Sequence, residues 1–121
     1  MAKLTREFAR FIYTANLGAS ISGANNGVWT QTKMVYPFSV EVGGTFTAAA
    51  ATVRVLVSNN DTAPLNSDNS QAQLGSDITG PAVVRSTAPY QWVKLAVLGA
   101  LSSGSISSAD YVGASNVNDR A

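Results

Sequence analysis

Apolar residues alternate with polar or small ones through two stretches of the chain. In "TVRVLVSNN", Val53, Val55 and Val57 fall on one side and Arg54, Leu56 and Ser58 on the other. In "YQWVKLAVLGAL", Val93, Leu95 and Val97 alternate with Trp92, Lys94 and Ala96. A period of two places each set on one face of an extended strand. "VWTQTKMVYPFSVEV" predicts one or two more strands, with Pro37 at an edge, bulge or break because proline lacks the amide a ladder uses. "PAVVRST" and "SISSADYVGAS" add further strands. Turn signals separate them: the Gly- and Asn-rich "GASISGANNGVW" with its Asn26-Gly27 pair, then Gly43-Gly44, then "LSSGS" from Leu101 to Ser105. Ala48 to Ala51 favour helix locally, but their β-branched and Gly-rich neighbours predict a strand or tight connection.

Residues 1–14, "MAKLTREFARFIYT", break this rhythm. Leu4, Phe8, Phe11 and Ile12 recur at helical spacing. The segment reads as an amphipathic N-terminal helix or arm that docks on a partner, or as a segment packing back on its own domain. A helix this short is marginal without a surface to bury against. Seven or eight short strands and no interior helix predict an all-β fold: an antiparallel β-sandwich, jelly-roll-like, over residues 15–114. The tail "SNVNDRA", residues 115–121, follows it.

With 121 residues the chain is long enough for one core and too short for two. Charge is sparse, at 12% of residues, and polarity comes instead from 14 Ser, 10 Thr and 9 Asn. Such a surface repels little, so it suits packing against other protein, or it is an extracellular-type surface with no partner. The net charge of +1 gives no footprint for nucleic acid. The longest apolar stretch is broken by Lys94 and Gly99, so no membrane span is expected. Arg6, Glu7 and Arg10 interrupt any signal-peptide core, which favours assembly in the cytoplasm.

Chemistry is thinly supplied. The chain has no His and no Cys, so Ser-His and Cys-His nucleophile pairs cannot form. Of the carboxylates Glu41, Asp61, Asp68, Asp77 and Asp110, most adjoin turn residues, and no enzyme activity and no cofactor are expected. Asn59, Asn60, Asp61, Asp68 and Asn69 are hard oxygen donors in one loop, but their spacing is not that of an EF-hand, and no metal site is assigned. Trp29, Tyr36, Tyr90 and Trp92 offer a possible aromatic platform for a sugar, against the commoner use of such residues in a core or contact.

"VRVLVSNND", "LGSDITG" and "PYQWVKLAVLGALSSGSISSADYVG" together resemble discoidin-like, galactose-binding-like β-sandwiches. In that pattern a strand ends in a Ser-Asn turn, a Leu-Gly element follows, and an aromatic-Val-x-Leu/Val strand returns across the sheet. The resemblance spans roughly residues 50–113 and departs at Asn60 to Asn69, where this chain inserts "DTAPLNSDNSQ". Compact versions occur in small virion proteins of tailed bacteriophages, including capsid decoration (cement) proteins and tail components. The resemblance implies a non-enzymatic virion protein, a homo-oligomer that binds the major capsid protein or other virion proteins and stabilises neighbouring capsomers. The alternative is a tail or fibre component with a glycan-binding role. Long polar loops in compact domains are usually functional or disordered. Residues 59–73 are therefore expected to be a contact loop, with Asn60, Asp61, Pro64, Leu65 and Asn66 meeting the partner beside Leu4, Phe8, Phe11 and Ile12 of the arm.

Overall fold

The alternating stretches become strands whose two faces meet different surroundings. The computed structural model describes residues 10–116, and among them there is no helix. The strands are β1 (Arg10–Ile21), β2 (Thr30–Gln31), β3 (Phe38–Thr47), β4 (Val53–Ser58), β5 (Ala72–Ile78), β6 (Ala82–Ser86), β7 (Trp92–Val97) and β8 (Ser103–Asn116). One four-stranded sheet has the order β1-β8-β3-β6 and the other β2-β7-β4-β5. Outermost strands pair with outermost, β1 with β8, and innermost with innermost, β4 with β5. This is the order of a hairpin rolled into two facing sheets, a jelly roll.

Between the sheets lies one apolar core. Val53, Val55 and Val57 of β4 and Val93, Leu95 and Val97 of β7 face Val40 and Val42 of β3, Ile106 and Tyr111 of β8, and Leu17 of β1. The ring of Tyr111 packs 5.0 Å from that of Phe38 and 5.9 Å, edge on, from that of Tyr13. Its hydroxyl donates to the Val35 carbonyl at 3.2 Å. Burial, and then Tyr13, push that phenol up to about 12. A proton held more tightly in the folded state stabilises below the ordinary tyrosine value, and that contribution is lost as pH rises from about 10 to about 12.

Several boundaries differ from the sequence reading. The chain is strand, not arm or helix, from Arg10 onward, and β1 continues through "GASI" to Ile21. Tyr13, Ala15 and Leu17 point inward at period two, and β8 offers a full ladder from Arg10↔Asn116 to Ile21↔Ile106. That ladder outweighs the helical spacing of Phe11 and Ile12. Ser115 and Asn116 likewise belong to β8 and not to a tail. Gly43-Gly44 does not turn the chain; it is an irregularity within β3, where the register to β8 shifts. A Cβ on Gly44 would come within 2.6 Å of backbone atoms of Ser105 and Ser107, so the close approach of β8 requires glycine. "LGSDITG" supplies most of β5, and "LSSGS" is half turn and half the start of β8.

Candidate contact surface

The long polar segment between β4 and β5 folds down over the outer face of the second sheet. Beneath it Trp29, Leu56 and Ala96 form a second small apolar cluster flanked by Trp92. Leu56, Lys94 and Ala96 face outward from β4 and β7, so something must cover them. The loop does so largely with its backbone. The indole N–H of Trp29 donates to the Leu65 carbonyl at 3.0 Å, and the Trp29 amide donates to Asn66 Oδ1 at 3.0 Å. The indole of Trp92 donates to the Asn60 carbonyl at 3.0 Å.

Lys94 is the centre of this arrangement. It is fully buried. Its ammonium donates to the Asn66 carbonyl at 2.7 Å and to Asn69 Oδ1 at 2.6 Å, and stands 5.0 Å over the Trp29 ring. A buried cation is tolerated when acceptors and a ring face replace its water. Burial still lowers its pKa, and the nearby Asp68 carboxylate partly offsets this. Asp68 accepts from the Ser70 hydroxyl and amide at 2.6 and 2.9 Å and from Gln71 Nε2 at 2.9 Å. Those bonds, the Ser70 hydroxyl foremost, hold its carboxyl at about 2. A depressed acid stabilises above its unfolded value, and the contribution is lost as pH falls from about 3.8 towards about 2. Thermal melts across that interval should therefore show a drop for the natural chain and a smaller one for Asp68→Asn.

The residues expected to meet a partner are dispersed. Leu4 and Phe8 lie outside the described residues. Phe11 lies in β1, its side chain outside the described ones. Ile12 is 57% exposed on the outer face of the first sheet. Asn60 and Asp61 are exposed, Pro64 is half-buried, and Leu65 stands out at 76% exposure. Asn66, though exposed overall, spends its side-chain oxygen and its carbonyl on Trp29 and Lys94. Three of the five oxygen donors in the loop, Asn59, Asp68 and Asn69, are similarly occupied. Asn59 accepts from the Gln91 amide, Asn69 serves Lys94 and donates to Asn26, and Asp68 caps Ser70. Nor are the four aromatics gathered on one platform. Trp29 is buried, Tyr90 packs edge-on against Phe38, and Trp92 is tied to Asn60, which leaves Tyr36 as the openly exposed ring.

A different surface emerges on the outer face of the first sheet. Register aligns Thr14, Val112, Ser39 and Arg85 in one row across β1, β8, β3 and β6. The next row holds Asn16, Asp110, Glu41 and Val83, with Glu41 directly opposite Asp110. Asp110 accepts from Asn16 Nδ2 at 3.1 Å and from the Ser108 hydroxyl at 3.2 Å. Above the first row an open cleft of about 330 Å³ runs among Pro37, Ser39, Arg85, Thr87, Val112 and Ala114. Ile12, Val83 and Val112 on this face, and Met34 and Tyr36 in the segment leading to it, are all exposed. Among the described residues the one ion pair is Arg54–Asp77, at 3.1 Å on the other sheet. Arg85 is therefore not engaged by a described carboxylate. These positions went unnoticed in the sequence because the register that aligns them joins strands far apart in the chain; the exposed valine following Tyr111 was the only local signal.

Over the described residues, fold and surface define an eight-stranded jelly roll in which one sheet has its outer face roofed by the loop and the other does not. No family model, curated protein or solved structure matches the chain.

Proposed function

We propose that this protein is a non-enzymatic structural component of a bacteriophage particle, a decoration protein that binds the outer capsid through the outer face of its β1-β8-β3-β6 sheet. One observation carries this reading. The sheet already buries its inner face, yet Ile12, Val83 and Val112 stay exposed on its outer face beside an apolar-walled cleft. Exposed apolar side chains grouped beside a cleft mark interaction surfaces. The sparse charge and the Ser/Thr/Asn surface fit a protein that packs against other protein. Eight-stranded jelly rolls recur in viral capsid and lectin domains, a fold-level analogy that agrees with the sequence resemblance.

The test is attachment. Val112→Asp changes an exposed side chain and should leave stability within about 0.5 kcal/mol of the natural chain. It places a carboxylate where the docking face would be dried. Binding to capsids that lack this protein, followed by co-sedimentation, should weaken at least about tenfold, or about 1.4 kcal/mol. Undiminished binding by the variant contradicts the proposed surface. Failure of the natural protein to bind capsids at all contradicts the proposed function.

A further inference from the structure

Each sheet of this fold has two edges, and three of the four edge strands carry features that discourage further pairing. β2 is two residues long. β6 is five residues long, carries Arg85 and lies between Pro81 and Pro89. β5 bends at Gly75, which has a positive φ of 76°, and its ladder to β4 shifts register. Short strands, charges, prolines and bulges are the ordinary means by which an edge is kept from pairing.

β1 has few of them. It is twelve residues long, and "FIYTANLGASI" from Phe11 to Ile21 contains neither a charged residue nor a proline. Its ladder to β8 is regular from Arg10 to Asn16 and shifts only between Asn16 and Gly18. Among the described residues, no backbone–backbone hydrogen bond outside the β1–β8 ladder involves β1, and the Gly18 amide alone is taken by a side chain, Asn16 Oδ1 at 3.0 Å. In an antiparallel pair every second residue turns its N–H and C=O away from the neighbouring strand. A row of backbone donors and acceptors therefore lies along a long edge that is uncharged from Phe11 to Ile21. Lys33 holds its ammonium over the Tyr13 ring, 5.3 Å from the centroid, on the inward side of the strand.

We infer that β1 pairs antiparallel with β1 of a second copy about a two-fold axis, joining two four-stranded sheets into one of eight strands. The one charge in β1, Arg10, recurs in the second copy at the opposite end of the paired stretch, so no two like charges face each other, which is the complementarity an isologous contact requires. Register is constrained as well. Side chains keep their faces only if the axis passes through a residue, because a shift of one would turn every inward side chain outward. Centred on the regular stretch Arg10–Asn16, the axis passes through Tyr13. Ile12 then lies opposite Thr14 of the second copy, and Arg10 opposite Asn16. The pairing extends the same outer face that carries Val112, so it deepens the assembly reading. It is tested on purified protein, so loss of the dimer and loss of capsid binding are read separately.

The experiment is sedimentation of the full chain over a concentration series, with Thr14→Lys as the disrupting variant. Thr14 is exposed and points outward, so its lysine should not disturb the core, and circular dichroism checks that the fold is kept. The natural chain should sediment as a dimer and Thr14→Lys as a folded monomer. The double variant Ile12→Cys/Thr14→Cys, in a chain without other cysteines, should form a covalent dimer on oxidation, and either single variant much less. A natural chain that is monomeric throughout overturns the inference. So does a dimer that survives Thr14→Lys while the double variant fails to cross-link.

Discussion

Replacing residues 60–70 by an Asn-Gly turn is expected to lower the unfolding free energy by about 3–5 kcal/mol. The loop roofs Trp29 and Leu56, which are 5% and 1% exposed. Each large side chain returned to water forfeits roughly 1.5–3 kcal/mol. Lys94 loses the Asn66 carbonyl and Asn69 Oδ1 but regains water, so the apolar term decides the sign. Closing a shorter loop returns only about 0.6 kcal/mol per halving of length. Against a typical total of about 5–15 kcal/mol, such a loss is a large share of stability. Chemical denaturation of the variant measures it directly. Leu65→Ser is the internal control: at 76% exposure its side chain covers nothing, and stability should change by less than about 0.5 kcal/mol. An unchanged midpoint for the shortened chain would show that the loop is spare surface. The sequence, which reads residues 59–73 as a contact loop, reveals nothing of the tryptophan beneath.

Tyr111→Ala should cost about as much, roughly 3–5 kcal/mol, for a different reason. Its ring fills the space between Phe38 and Tyr13 where β8, β3 and β1 meet, and it is 1% exposed. Neighbouring strands cannot collapse into the cavity without breaking ladders on both sides of β8. Tyr111→Phe separates packing from hydrogen bonding. It keeps the ring and removes only the hydroxyl's bonds to the Val35 carbonyl and, more distantly, the Thr32 carbonyl, an expected loss of about 0.5–1.5 kcal/mol. It should also abolish the decline in stability that the raised phenol produces between about 10 and about 12. Equal losses for the two variants would mean that the hydroxyl, and not the ring, holds this corner.

The inward faces of β4 and β7 were legible because Val and Leu recur there at a period of two, although both faces of these strands are buried. Val53, Val55, Val57, Val93, Leu95 and Val97 point into the core as their alternation predicts. Two-sheet architecture followed from the number of such segments. The beginning of β1 was misread because over a few residues Phe11 and Ile12 fit a helical spacing, while the deciding ladder comes from β8, about a hundred residues away. Gly43-Gly44 was misread because the same pair serves a turn or a bulge, and only the approach of Ser105 and Ser107 selects the bulge.

The role of the loop was hidden more deeply. Its acceptors for Trp29 and Lys94 are mostly backbone carbonyls, of Leu65 and Asn66, and every residue type carries one. One signal was present. A lysine in the middle of an apolar strand, followed by buried Ala96 on the same side, needs acceptors nearby, and the only long polar segment in the chain could supply them.

On the proposed function, the outer face of the first sheet, and not the loop over the second, meets a partner. Hydroxyl-radical footprinting of the protein, free and bound to capsids, tests it most directly. Val112 at 42% exposure, with Tyr36 and Met34 nearby in the chain segment leading to the cleft, should lose reactivity on binding. Leu65 at the tip of the loop should react as it does in the free protein. Protection of Leu65 with Val112 and Tyr36 still reactive would place the contact on the loop instead.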